Sequence, residues 1–329
     1  MGRLHFLHRL TAGASLLLAC TSALAQSHLR FVVTGDDRWE TKTPRDGMDE
    51  NGVNVAAMKR LATAIVAEKP TILLFNGDTI GGGDDAQEAS QYKTFMTAMK
   101  PIYDAKIKVL AVRGNHEMHA PHADDLWRST FSGPFANPAT GPTGEEDFTF
   151  SYETGDVLFL GLDEFMTKKP VINQAWLDGV LAKTKATHIF AFAHKMAFVA
   201  GHHVDGMNTI PEARDRFLES LEKAGGVTVF FGHDHLYDHL KASEAGWPTG
   251  KAIHQVVVGT AGAPFAHGTS SQATDGNWTL AHLGHVEGKL GYCVVDVDGS
   301  KVTVTFKAET SPGVFERADS FAYEVAAKR

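Results

Sequence analysis

The chain has 329 residues, 43% of them hydrophobic and 21% charged, and a formal net charge of −8. That is apolar enough for a large core, and too acidic for broad electrostatic attachment to duplex nucleic acid or to an anionic membrane. A small phosphorylated substrate is not excluded, because a bound metal can overrule the net field locally.

The first 25 residues read as an export signal. Arg3 and Arg9 form a basic start, Leu10 to Cys20 is apolar, and Ala23-Leu24-Ala25 is a small-x-small cleavage site before Gln26. The apolar run is too short to be taken as a membrane span, so no transmembrane segment is expected after cleavage. The mature chain, residues 26–329, is then periplasmic or secreted. Lipoprotein processing at Cys20, after Leu17-Leu18-Ala19, is the weaker reading. Cleavage removes two basic residues and no acidic ones, so the mature charge becomes −10. It also leaves Cys293 as the one cysteine, in a Val-rich strand pattern that points to a core residue and not to a disulfide framework.

Five short apolar runs follow, each ending in Gly, Asn, Asp or His: Arg30 to Asp36, Thr71 to Asp78, Lys108 to Glu117, His188 to His194 and Val227 to His235. Runs of this kind predict parallel strands buried on both faces. Between them, three- and four-residue apolar spacing predicts helices over Val53 to Glu68, Ala86 to Lys100, Asn173 to Lys183 and Pro211 to Ala224. This alternation implies an α/β fold. Phe148 to Glu153 with Val157 to Asp163, and Gly291 to Val297 with Lys301 to Lys307, read as hairpins. Ser132 to Asp147 and Thr260 to Lys289 read as long irregular loops, equally suited to a site rim or to plain surface. Residues 26–329 are expected to form one domain.

Ligands in open α/β sheets lie beyond the carboxyl ends of strands. Asp36 and Asp78 offer carboxylates there, Asn115 an amide oxygen, and His194, His233 and His235 imidazoles. Such a set suits one polynuclear metal centre. Each motif alone is weak, since Gly-Asp dipeptides are common turns. All five in order, each after an apolar strand, make coincidence a poor account.

The series Asp36, Gly77-Asp78, Gly114-Asn115-His116-Glu117, His194 and Gly232-His233-Asp234-His235 resembles the calcineurin-like metallophosphoesterases over about Arg30 to Leu240. The resemblance implies a four-layer αββα sandwich of two mixed β-sheets flanked by helices, with the hairpin region 290–329 completing the second sheet. It implies two divalent or trivalent metal ions, for which oxygen and imidazole donors suit Zn, Mn, Fe, Ni or Co. Asp36 and His235 would hold the first, Asn115, His194 and His233 the second, and Asp78 would bridge them. A hydroxide between the metals would attack a phosphomonoester or phosphodiester, and His116, not itself a ligand, would assist the leaving group.

The first motif departs from the pattern. Many members carry Asp-x-His there, whereas this chain has Asp36-Asp37-Arg38. Purple acid phosphatases also lack that His but supply a Tyr three residues after the second Asp, where this chain has Gly81. Asp37 or water is left to fill the gap. Arg38 reads either as a contact to a phosphate oxygen, with a catalytic role, or as the partner of a carboxylate such as Asp37. The departure keeps a second function open, a non-catalytic metal- or phosphate-binding protein of the same fold. Glu117 is expected to support the ligands, His202 and His203 are candidates for substrate contact, and most other histidines read as loop residues.

Overall fold

The computed structural model describes residues 1–2, 28–39, 51–244 and 252–326. The expected export signal, from Arg3 through its cleavage site before Gln26 and including Cys20, lies outside the described residues. In chain order come strand β1 (His28–Thr34), helix α1 (Val55–Glu68), β2 (Ile72–Phe75), α2 (Asp85–Ala98), α3 (Lys100–Asp104), β3 (Lys108–Ala111) and α4 (Ala123–Thr130). Next are β4 (Phe150–Thr154), β5 (Val157–Gly161), α5 (Gln174–Leu181), β6 (His188–Phe192), α6 (Pro211–Lys223) and β7 (Thr228–Phe231). The rest is strand: β8 (Tyr237–Glu244), β9 (Ile253–Val258), β10 (Thr274–Asp275), β11 (Trp278–Val286), β12 (Gly291–Asp298), β13 (Lys301–Ser311) and β14 (Val314–Glu324). Among the described residues no helix is long and apolar enough to cross a membrane.

Helix boundaries follow their caps. The Asn54 side chain accepts the Ala57 N–H, which starts α1 two residues later than the apolar spacing implies. Asp84 and Gln87 form a reciprocal capping box that opens α2. That helix ends at Ala98, and Pro101 sits in the first turn of the short α3.

The strands build two mixed sheets. One has the order β14-β13-β12-β1-β2-β3, and the other β10-β11-β8-β9-β7-β6-β5-β4. The parallel strands β1, β2 and β3 lie in the first, and β5, β6, β7 and β9 in the second. Helices α1 to α4 cover the first sheet through Val32, Leu73 and Phe75, and α5 and α6 cover the second through Leu160, Ile189 and Val229. Residues of opposite parity, among them Phe31, Val33, Leu74, Phe190 and Val256, fill the space between the sheets. Burial on both faces is why these strands read as continuous apolar runs.

The C-terminal hairpin joins the sheet of the aspartates: β12 pairs antiparallel with β1, so β12 to β14 extend it. One expectation is corrected. The stretch from Thr260 to Lys289 is not wholly irregular, because β10 and β11 lie within it, β11 pairing with β8. The strands β8, β9 and β14 also went unpredicted. β8 and β14 carry charged residues, and β14 is an edge strand with Glu316, Arg317 and Glu324 exposed, so their sequences lack the apolar run of a central strand.

Phe31 is the hinge of the inter-sheet core. Its ring meets Phe159, Phe190 and Phe230 edge-on at 5.0, 4.9 and 6.2 Å between centroids. Phe31→Ala is expected to cost about 3–5 kcal/mol, measured by urea unfolding at constant m-value. A loss under about 1 kcal/mol would show that the sheets close over the gap.

Candidate metal centre

The carboxyl ends of β1, β2, β3, β6 and β7 converge on one region. Asp36, Asp78 and His233 each leave their strand through a left-handed turn, with φ of 65°, 52° and 71°. Such turns are strained for non-glycine residues and cluster at sites held by their surroundings. The Asp36 N–H bonds Gly77 O at 3.0 Å, and the Arg38 N–H bonds Asp78 O at 3.1 Å. The His233 N–H reaches across to Asp36 Oδ1 at 3.0 Å, tying the two sheets together. A Cβ on Gly232 would lie 2.3 Å from Asp36 Oδ2, and one on Gly114 would lie 2.1 Å from Asp78 Oδ1. Those two glycines are needed because backbone must pass directly against a carboxylate.

The eight singled-out residues come together. His194 Nε2 is 3.4 Å from Asp78 Oδ1 and 3.1 Å from Asn115 Oδ1. His235 Nε2 is 3.7 Å from Asp36 Oδ1, and the rings of His194 and His233 are 5.0 Å apart. His116 Nε2 and Arg38 Nε lie 3.9 and 3.6 Å from Asp78 Oδ2. Ligand atoms of Asp36, Asp78 and His194 all fall within 4.8 Å of one another. Asp36 Oδ2 is buried without a hydrogen-bond partner, as are both oxygens of Asp37. Buried anionic oxygens in this state suit a cation. The donor set therefore fits a metal on the chemistry of its residues.

Electrostatics agree. Burial, followed by repulsion from Asp78, raises the Asp36 carboxyl well above its ordinary range. Burial would raise Asp78 too, but His194, His116 and Arg38 outweigh it and hold Asp78 below its usual range. Burial pushes both His233 and His235 down to about 3. Their imidazoles are thus neutral at neutral pH, the state a metal ligand needs.

A further layer of side chains holds the ligands. Glu117 accepts the N–H groups of Asp78, Thr79 and Gly114 at 3.0, 2.5 and 2.5 Å, so it shapes the turns that carry Asp78 and Asn115. Asp234 accepts the N–H groups of Gly201 and His203, which brings the His203 ring to 4.0 Å from that of His233. His202 instead pairs with Asp234. Arg38 pairs with a nearby carboxylate, that of Asp78. Elsewhere His122 pairs with Asp85, His267 with Glu287, and His282 and His285 with Asp238.

Sequence reasoning missed three supporting residues. Arg113 is fully buried and makes a two-pronged ion pair with Asp163, joining the ends of β3 and β5 behind the site. Glu164 accepts the His194 and Lys195 N–H groups at 2.9 and 2.6 Å. Asp205 bonds His233. The carboxylate pair Asp163-Glu164 right after an apolar strand was the available signal for one of these, Glu164.

A family model described as calcineurin-like phosphoesterase matches residues 29–237. Among solved structures, the purple acid phosphatase PPD1 of yellow lupin (Lupinus luteus) seeds superposes with a TM-score of 0.64 at 16% identity over 91% of this chain. The chain spans 54% of that protein's length. A dimetal phosphatase of Danio rerio gives 0.58 at 11% identity, over 91% of this chain and 99% of that one. GAP50, titled the anchor in the inner membrane complex of Plasmodium, gives 0.58 at 13%, over 92% and 90%. At these identities the likenesses show the fold. No curated protein sequence matches the chain.

The buried Glu164 yields a pH prediction. Burial raises its carboxyl from 4.5 to about 8, so the folded protein keeps a proton that the unfolded chain gives up. Its contribution is full below pH 4.5 and is lost as pH rises through about 8. In metal-free protein, Glu164→Gln is expected to remove this slope and to gain about 2–4 kcal/mol relative to wild type at pH 8.5. Urea unfolding across pH 5–9 checks it, and an unchanged slope would assign the titration to another group.

Proposed function

We infer that the chain, which belongs to the calcineurin-like phosphoesterase family, is a hydrolase acting on phosphate esters. On that premise we propose that it is an exported enzyme cleaving small phosphomonoesters or phosphodiesters at a dinuclear metal centre. One observation carries the reading: Asp36, Asp78 and His194 present ligand atoms within 4.8 Å of one another, with a buried oxygen of Asp36 left for a cation.

Asp36 and His235 would hold the first ion, Asn115, His194 and His233 the second, and Asp78 would bridge them. When bound, such ions neutralise phosphoryl charge and lower the pKa of water so that it attacks phosphorus at neutral pH. His116 serves the leaving oxygen. Its Nδ1 donates to Gly81 O at 2.8 Å, because a carbonyl can only accept. That leaves Nε2 as the nitrogen that, once protonated, gives its proton to the departing group. Arg38 is the chain's own fixed cation beside Asp78. It offsets charge that builds on the phosphoryl oxygens, and it stands where the resemblance expects a His ligand, so the first ion binds more weakly than the second.

The non-catalytic alternative draws on the same substitution at Arg38. A full donor set for the second ion, together with His116, supports turnover instead. A panel of phosphomonoesters and matching diesters, run on metal-loaded mature protein with metals quantified, separates the readings. Metal bound without hydrolysis of any ester would favour the alternative.

His116→Ala is expected to lower turnover about 10²- to 10⁴-fold on an alkyl phosphate, a poor leaving group, and much less on a nitrophenyl ester. Metal content should stay at the wild-type value. Equal losses on both substrates would sink the proton-donor role. Removal of metal by a chelator is expected to abolish hydrolysis, with Zn²⁺ or Mn²⁺ restoring it.

A further inference from the structure

The three imidazoles of the centre are not turned alike. His194 Nδ1 donates to Asn76 O at 2.8 Å, and His235 Nδ1 donates to Pro264 O at 2.7 Å. A carbonyl oxygen accepts only, so Nδ1 carries the proton in both rings and Nε2 offers the lone pair. The Nε2 atoms are the ones that face Asp78 and Asp36. His233 is reversed. Its Nε2 donates to Asp205 Oδ1 at 2.8 Å, which leaves Nδ1 as its lone-pair nitrogen.

We propose that Asp205 is a positioning residue that selects the metal-binding nitrogen of His233, and so sets the affinity of the second metal position. This rests on the phosphoesterase reading, but it concerns a residue that no motif of the chain marks. A carboxylate behind a ligating histidine fixes the ring's tautomer and orientation and makes it a stronger donor. The other two rings are oriented by backbone, which a side-chain substitution cannot remove. Of the three, His233 alone has the nitrogen opposite its lone pair held by a side chain.

The carboxylate is itself held. Lys195, next in sequence to His194, forms an ion pair with Asp205 Oδ2 and reaches Asp205 O at 3.4 Å. His203 Nδ1 lies 3.5 Å from Asp205 Oδ1, and its ring stacks on His233 at 4.0 Å with 32° between planes. His233 is thus fixed in plane by Asp205 and on its face by His203. Asp205 sits on the loop between β6 and α6, and its side chain is 54% exposed. It can therefore be altered without opening the core, whereas Glu117 and Glu164 are wholly buried.

The test titrates full-length mature protein, stripped of metal, with Zn²⁺, for wild type, Asp205→Ala and Asp205→Asn. Asp205→Ala should weaken one Zn²⁺ equivalent about 10- to 100-fold and leave the other unchanged. Asp205→Asn keeps an oxygen to accept the Nε2–H bond and should lie much closer to wild type. Nitrogen NMR of the histidines in the metal-free protein gives an independent readout. Wild type and Asp205→Asn should show His233 protonated at Nε2, and Asp205→Ala should show a tautomer mixture. Identical titrations for all three proteins, or a His233 tautomer indifferent to Asp205→Ala, would overturn the proposal. Wild-type protein that binds Zn²⁺ but hydrolyses no ester would instead sink the phosphoesterase reading, with the role of Asp205 still decided by the titrations. A wild type that binds no Zn²⁺ would overturn both.

Discussion

A cluster of buried carboxyl groups is the constraint around which this protein is arranged. Asp36, Asp37, Asp78, Glu117 and Glu164 are all shielded from water within a few residues of the strand ends. A carboxylate in such a place is costly unless something positive or a set of N–H donors meets it. Glu117 and Glu164 are met by backbone N–H groups, and Asp78 by Arg38, His116 and His194. Asp36 and Asp37 keep oxygens that the protein leaves unpaired. A fold that tolerates this is arranged for a cation, and the left-handed turns at Asp36, Asp78 and His233 are further local costs of the same geometry.

The two sheets divide the work. The first brings Asp36, Asp78 and Asn115 at the ends of its three parallel strands, and the second brings His194, His233 and His235. The donor set is assembled only where the two sheets meet. The phenylalanine-rich layer between them sets their distance, and the bond from the His233 N–H to Asp36 sets their alignment at the site. The Arg113–Asp163 pair makes a second bridge behind it. Packing energy far from any ligand is in this way converted into ligand geometry, as a preorganised site requires.

The departure at Arg38 changes the charge balance without emptying the site. A guanidinium is permanently positive and cannot ligate, so it sets a fixed charge beside the Asp78 carboxylate. On the histidine side, His233 is supported by Asp205, Lys195 and His203.

By itself the sequence determined the parallel strands β1, β2, β3, β6 and β7, most of the helices between them and the order of the donor residues. Those features are local: two-sided burial writes apolar runs, caps write helix starts, and left-handed turns write Gly-Asp and Gly-His at strand ends. The convergence of Asp36, Asp78, Asn115, His194, His233 and His235 at strand ends was legible for that reason, and so was the support from Glu117. Tertiary structure alone decided the rest. β8, β11 and β14 are strands because distant segments pair with them, although their sequences lack a continuous apolar run. The terminal hairpin joined the sheet of the aspartates because the free side of β1 was open to β12. Arg38 met the carboxylate of Asp78. Asp205 reached His233 from 28 residues away along the chain. Such pairings depend on where distant segments end in space, and residue spacing along a chain does not contain that distance.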